Sequence, residues 1–151
     1  LLVEVQKIMM KKIFLAGIIQ GSNKDKSINS QHYRERIKSI IQKVYPEAAI
    51  YDPLDGHLQS VDYDDEMGKA TFFGSLEKID DCDLMIAYLP SASLGTAIEI
   101  WESYKRGIPV WTITGMKTNW VVRFCSNKVF EDIESFADYM EKIHATVLRE
   151  D

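Results

Sequence analysis

The run Asp83-Leu84-Met85-Ile86-Ala87-Tyr88-Leu89, followed by Pro90-Ser91-Ala92-Ser93-Leu94-Gly95 and a helical pattern from about Thr96 to Arg106, restricts the fold most. Near-continuous apolar character over so short a length marks a strand covered on both faces. Gly107 stops the helix and Ile108-Pro109-Val110-Trp111-Thr112-Ile113 starts another strand at once. Upstream, Ile13-Phe14-Leu15-Ala16-Gly17-Ile18-Ile19 is a buried strand ending in the loop Gln20-Gly21-Ser22-Asn23. A helix carrying Tyr33, Ile37, Ile40, Ile41 and Val44 comes next, and then the short strand Ala48-Ala49-Ile50-Tyr51. Apolar strands alternating with helices predict a three-layer α/β/α domain around a mainly parallel, flavodoxin- or Rossmann-like sheet.

The remaining elements are read less sharply. The acidic stretch Asp62-Tyr63-Asp64-Asp65-Glu66 suits a solvated first turn of a helix whose Met67, Thr71, Phe72, Leu76 and Ile79 form one broad apolar face. Asn119 to Phe124 opens a short helix, Lys128-Val129-Phe130 an edge strand, and residues 132–149 a final helix. We expect residues 1–11 to be an extension and residues 12–151 to be one domain, a size that buries a sizeable core. A formal charge of -5 argues against an extended nucleic-acid groove or an anionic-membrane surface, but not against a single nucleotide. Two cysteines, Cys82 and Cys125, make no disulfide framework, which suggests a cytoplasmic setting. We expect no membrane span, and His32, His57 and His144 are too scattered to predict a metal site or any cofactor.

Open parallel sheets hold ligands beyond the carboxyl ends of their strands. Here that rim comprises residues 17–23, 52–57, 90–95 and 114–119. The Gly17-to-Gly21 turn lacks the dinucleotide fingerprint and the Walker lysine, yet its backbone can approach an anion or serve as an ordinary strand-to-helix turn. Ser93-Leu94-Gly95-Thr96-Ala97-Ile98-Glu99 is more informative: Ser93 can cap the helix, Gly95 permits close approach, and Glu99 lies one turn in. A carboxylate there can attack an electron-poor sugar carbon, or can simply complement the helix dipole.

The strand Asp83–Leu89, the link to Gly95, Glu99 and Gly107-Ile108-Pro109-Val110 together resemble the nucleoside 2-deoxyribosyltransferase superfamily, including its 2'-deoxynucleoside 5'-monophosphate N-glycosidase branch. Ile13-Phe14-Leu15-Ala16-Gly17 resembles that superfamily's first strand and substrate loop, so the likeness covers most of residues 12–113. The resemblance implies that Glu99 is the nucleophile at the anomeric carbon and that a glycosyl-enzyme forms. The sugar then passes to another base in a transferase or to water in a hydrolase. It gives Ser93 a ribose or phosphate contact, as in the nucleotide hydrolases, and places Gly17, Gln20, Gly21 and Gly95 at the substrate. It also implies a homodimer or higher homo-oligomer acting on a small nucleoside or nucleotide, with Asn119 and Arg123 as further contacts, including across a subunit boundary, although either residue can equally be a cap or a surface charge.

Two positions depart from the family pattern. Ser75 matches the helical catalytic aspartate, and a hydroxyl does not replace a carboxylate in proton transfer near neutral pH, so the acid would have to be Asp62, Asp64 or another group. Gln20 matches an arginine of the nucleotide-hydrolase loop, which removes a charge-assisted phosphate contact. Asp83 matches an acidic residue at the start of the family's central strand and can be catalytic or a structural turn or cap, and Tyr51, Phe72, Phe73 and Tyr88 can stack on a base or fill a core or a subunit contact. The alternatives to an enzyme are a catalytically degenerate nucleotide-binding or sensing module and a structural protein-interaction domain. The last predicts no pocket joining Gly17, Ser93 and Glu99.

Overall fold

The computed structural model describes residues 10–149; most of the expected extension, residues 1–9, lies outside them. Five strands, β1 (Lys12–Gly17), β2 (Ala49–Tyr51), β3 (Leu84–Tyr88), β4 (Val110–Ile113) and β5 (Lys128–Phe130), form one parallel sheet in the order β2-β1-β3-β4-β5. Five helices accompany them: α1 (His32–Val44), α2 (Asp65–Glu77), α3 (Leu94–Lys105), α4 (Trp120–Cys125) and α5 (Ile133–Val147). The expected α/β architecture is therefore present, with Lys128–Phe130 as one of two edge strands and Ala49–Tyr51 as the other.

Strand pleating divides the core. Ile13, Leu15, Leu84, Ile86, Trp111 and Ile113 point into a cluster completed by Ile37 and Ile41 of α1 and Phe136, Met140 and Ile143 of α5. Their neighbours Phe14, Ala16, Met85, Ala87 and Val110 face the other way, toward Ile79, Ile100 and Val122. Period-two alternation of wholly apolar strands thus supplies two cores, which is why these strands read as unbroken apolar runs.

Local chemistry fixes the ends of the helices. Asp64, Ser93, Asn119 and Asp132 cap α2, α3, α4 and α5 with side-chain oxygens. At the end of α3, Gly107 has φ 71°, and the N–H groups of Gly107 and Ile108 donate to Tyr104 and Ser103, a Schellman closure. One expectation changes. The apolar residues of α2 do not bury a broad face: Met67, Phe72 and Phe73 are exposed, Ser75 alone is buried, and Ile79 lies in a separate 3-10 turn, Lys78–Asp81. Ile79, past the change of helix type after Glu77, enters the core, with Leu76 partly buried against the same cluster, while Met67, Phe72 and Phe73 stay outside.

β2 pairs with β1 only as far as Phe14 opposite Tyr51. Beyond that point the β1 carbonyls of Leu15 and Gly17 accept hydrogen bonds from the Arg34 guanidinium of α1, at 3.4 and 3.0 Å. Arg34 also donates to Asp52 Oδ1 at 2.8 Å and to Gln31 Oε1 at 2.8 Å, while Lys38 approaches Asp52 Oδ2 to 3.0 Å. Burial opposes the Lys38 charge, but its bonds to Asp52, Glu35 and Asp55 prevail and push the ammonium up to about 12. Asp52→Ala should therefore leave a buried, unpaired guanidinium and cost about 3–5 kcal/mol. Urea unfolding measures this, and a loss under about 1 kcal/mol would show that the pair does not hold α1 to the sheet.

Candidate active site

Topology chooses the location. The chain leaves β1 toward β2 on one side and reaches β3 on the other, so a crevice opens beyond the carboxyl ends of β1 and β3. A cavity of about 340 Å³ occupies it, lined by Gly17, Gln20 and Gly21 after β1, by Ser60 and Val61, and by Ser93, Gly95, Thr96 and Glu99 at the start of α3. A second cavity of about 360 Å³ shares Gly21, Ser93 and Leu94 with the first and continues between Leu89, Ala97, Met116 and Val122.

Ser93 begins α3 with extended backbone, and its Oγ accepts from the Thr96 N–H at 3.4 Å and from Thr96 Oγ1 at 3.1 Å. This cap fixes the first turn and carries Glu99 to the cavity floor. Glu99 is half-buried, surrounded by protein on most sides, and its remaining surface borders the cavity. Burial pushes its carboxyl up to about 8; Arg34 pulls against the rise and Asp52 adds to it. The Tyr33 and Tyr51 phenols are raised as well, chiefly by burial, with the Glu99 charge contributing to both. The Tyr33 hydroxyl donates to the Ile18 carbonyl at 2.8 Å, and its ring lies so near Gly17 that a Cβ there would sit 2.7 Å from Tyr33 Cε2.

The other sequence candidates divide. Gln20 lines the cavity, although its amide donates to the Asp25 carbonyl at 2.6 Å and so braces its own loop. Asn119 lines the second cavity while its Oδ1 accepts from the N–H groups of Val121 and Val122. Arg123 lines neither cavity; it is exposed, with its guanidinium 5.4 Å from the Phe124 ring centroid. Tyr51, Phe72, Phe73 and Tyr88 also line neither. Tyr88 packs on Tyr33 with the rings tilted, Tyr51 packs on Phe14, and Phe72 meets Phe73 edge to face.

Among the described residues no candidate acid joins Glu99 in the cavity lining. Ser75 donates to the Phe72 carbonyl of its own helix at 2.8 Å. Asp62 pairs with Lys26 at 3.3 Å, and Asp64 caps α2. Asp83 lies at the opposite end of the sheet, where its Oδ2 accepts from the N–H groups of Lys11 and Lys12. Among the described residues no cluster of metal-ligand side chains occurs and no helix is long and apolar enough to cross a membrane. Arg34 and Asp52, whose charges act on Glu99, were not singled out in the sequence: an arginine in a helix and an aspartate before proline ordinarily read as surface groups.

No family model matches the chain, and no curated protein does. Solved structures match it. A 2-deoxyribosyltransferase from the psychrotolerant bacterium Bacillus psychrosaccharolyticus superposes with a TM-score of 0.65 at 22% identity, covering 85% of this chain and 91% of that one. A conserved protein from Enterococcus faecalis V583 gives 0.61 at 19% identity, covering 88% and 98%. The sugar isomerase domain of an RpiR transcription factor from Sphaerobacter thermophilus gives 0.57 at 10% identity, covering 99% and 77%. At these identities the likeness is one of fold, and a fold of this kind hosts different activities.

The raised Glu99 carboxyl has a thermodynamic sign. Its ordinary value is 4.5 and its folded value about 8, so the folded state increasingly resists its ionisation as pH rises between them. Stability linked to Glu99 is full below 4.5 and is lost as pH climbs to about 8. Glu99→Gln should thus stabilise the protein by about 1–3 kcal/mol at pH 8, less than full burial would give because the carboxyl borders the cavity. The gain should shrink toward pH 5; thermal melts that coincide across this range would show that the carboxyl is not desolvated.

Proposed function

We propose that the protein cleaves the N-glycosidic bond of a nucleoside or nucleoside 5'-monophosphate, with Glu99 as the nucleophile. The observation that carries this reading is the meeting of Gly17, Ser93 and a desolvated Glu99 in one cavity at the switch point of the sheet. The resemblance read from the sequence and the fold shared with a 2-deoxyribosyltransferase point the same way.

In the proposed reaction a Glu99 carboxylate oxygen bonds to the anomeric carbon as the carbon–nitrogen bond breaks, and the electron pair of that bond leaves with the base. Water or an acceptor base then attacks the same carbon and releases Glu99. Ser93 and the Gly17-to-Gly21 backbone hold the sugar and its 5'-substituent, and no cofactor is required. Being half-buried costs Glu99 solvation but strengthens its interaction with positive charge developing on the sugar.

The implied homodimer has a fitting surface: Leu94, Ile98, Trp101 and Tyr104 are exposed along α3, and Trp120 and Phe124 on α4. The alternative of a nucleotide-binding or sensing module draws support from the engagement of Ser75 with its own helix. Chromatographic detection of free base from a panel of nucleosides and 5'-monophosphates, with and without acceptor bases, separates these readings. Base release dependent on Glu99 supports the enzyme; saturable binding without release supports the module.

Two outcomes follow for Glu99. Glu99→Gln should lower turnover by at least about 1,000-fold while retaining ligand binding. For the wild type, kcat/KM should rise with pH and level off above about 8, because only the ionised carboxyl attacks. Full activity in Glu99→Gln, or a rate independent of pH through this range, would remove Glu99 from the chemistry.

A further inference from the structure

Departure of a neutral nucleobase leaves a lone pair on nitrogen that ordinarily has to be protonated, and enzymes supply this proton from a positioned acid. Among the described residues the two joined cavities have one titratable lining side chain, Glu99, which the proposed reaction commits to the sugar carbon. Every other lining side chain is neutral and non-titrating. The nearby acids have other partners: Asp52 is held by Arg34 and Lys38, Asp62 by Lys26, and Asp64 by the first turn of α2. Ser75 spends its hydroxyl on the Phe72 carbonyl. The cavity beyond Ser93 and Leu94 is walled by Leu89, Ala92, Ala97, Met116, Val121 and Val122, with no lysine or arginine in either lining.

We propose that the leaving group is a cationic heterocycle joined to the sugar through its ring nitrogen, a pyridinium-type or N-alkylated purine N-glycoside, seated in the apolar cavity while the sugar lies over Glu99. This deepens the glycosidase reading and rests on it. A Glu99 oxygen bonds to the anomeric carbon, the carbon–nitrogen pair returns to the ring nitrogen, and the ring departs as a neutral base with no proton required. Water then adds to the anomeric carbon, Glu99 is released as a carboxylate, and the surplus proton goes to solvent. The apolar walls favour this direction, because the ring enters charged and leaves uncharged, and such walls solvate the neutral form better. The positive substrate also favours the charged form of Glu99, which burial alone disfavours. Each cavity is within the ordinary range for small-molecule sites, roughly 300–1,000 Å³.

The test pairs substrates that differ in leaving-group charge: 7-methylguanosine against guanosine, and a series of ring-substituted N-ribosylpyridiniums against neutral nucleosides, each also as the deoxyriboside. Rates are taken above those of Glu99→Gln, which removes the spontaneous lability of the cationic compounds. We expect kcat/KM for the cationic member to exceed its neutral partner by at least about 100-fold, the usual scale of a missing general acid. Across the pyridinium series kcat/KM should fall steeply as the basicity of the departing pyridine rises. Neutral nucleosides cleaved equally fast, with a bell-shaped pH profile showing an acid at work, would overturn this inference and leave the glycosidase reading intact. Release of base from neither class would overturn both.

Discussion

A guanidinium stands where a strand should. β2 abandons β1 after Tyr51, and the two β1 carbonyls that would otherwise lack partners are taken by Arg34, which Asp52 holds from the far side. Because a side chain completes the hydrogen bonding instead, the sheet ends early on that flank without orphaned carbonyls. The pair is costly to bury, and what it holds is α1 against the end of β1.

The same pair governs the charge around Glu99. Burial pushes this carboxyl upward, and Arg34 is the cation that opposes the rise. Asp52 tempers it, and Lys38 in turn shares Asp52. Four groups on α1, α3 and the turn after β2 thus form one electrostatic unit, although only Glu99 reaches the cavity. Such an arrangement sacrifices stability at the cavity.

Much of this was legible in the chain. Unbroken apolar runs announced buried parallel strands, Gly107 announced the stop of α3, and the spacing from Ser93 to Glu99 put a cap and a carboxylate on one helical turn. What escaped was long-range. Nothing local distinguishes Arg34 from the solvated Arg36 two residues on, because its meaning comes from β1 carbonyls far away in sequence. The Met67 and Phe72 pattern misled for a related reason: helical periodicity marks an apolar face but not what covers it. Asn119 shows a third limit, since a residue type suited to ligand contact is equally suited to capping, and its Oδ1 is used for the cap.

The glycine at position 17 bears on how distant relatives should be compared. Its missing side chain is what admits the Tyr33 ring, and Tyr33 in turn secures the Ile18 carbonyl. A side chain at position 17 would have to displace the end of the Tyr33 ring, so the glycine and the tyrosine are coupled by packing. A glycine at this position is therefore accounted for without any reaction, and chemistry has to be sought at the titrating groups behind it.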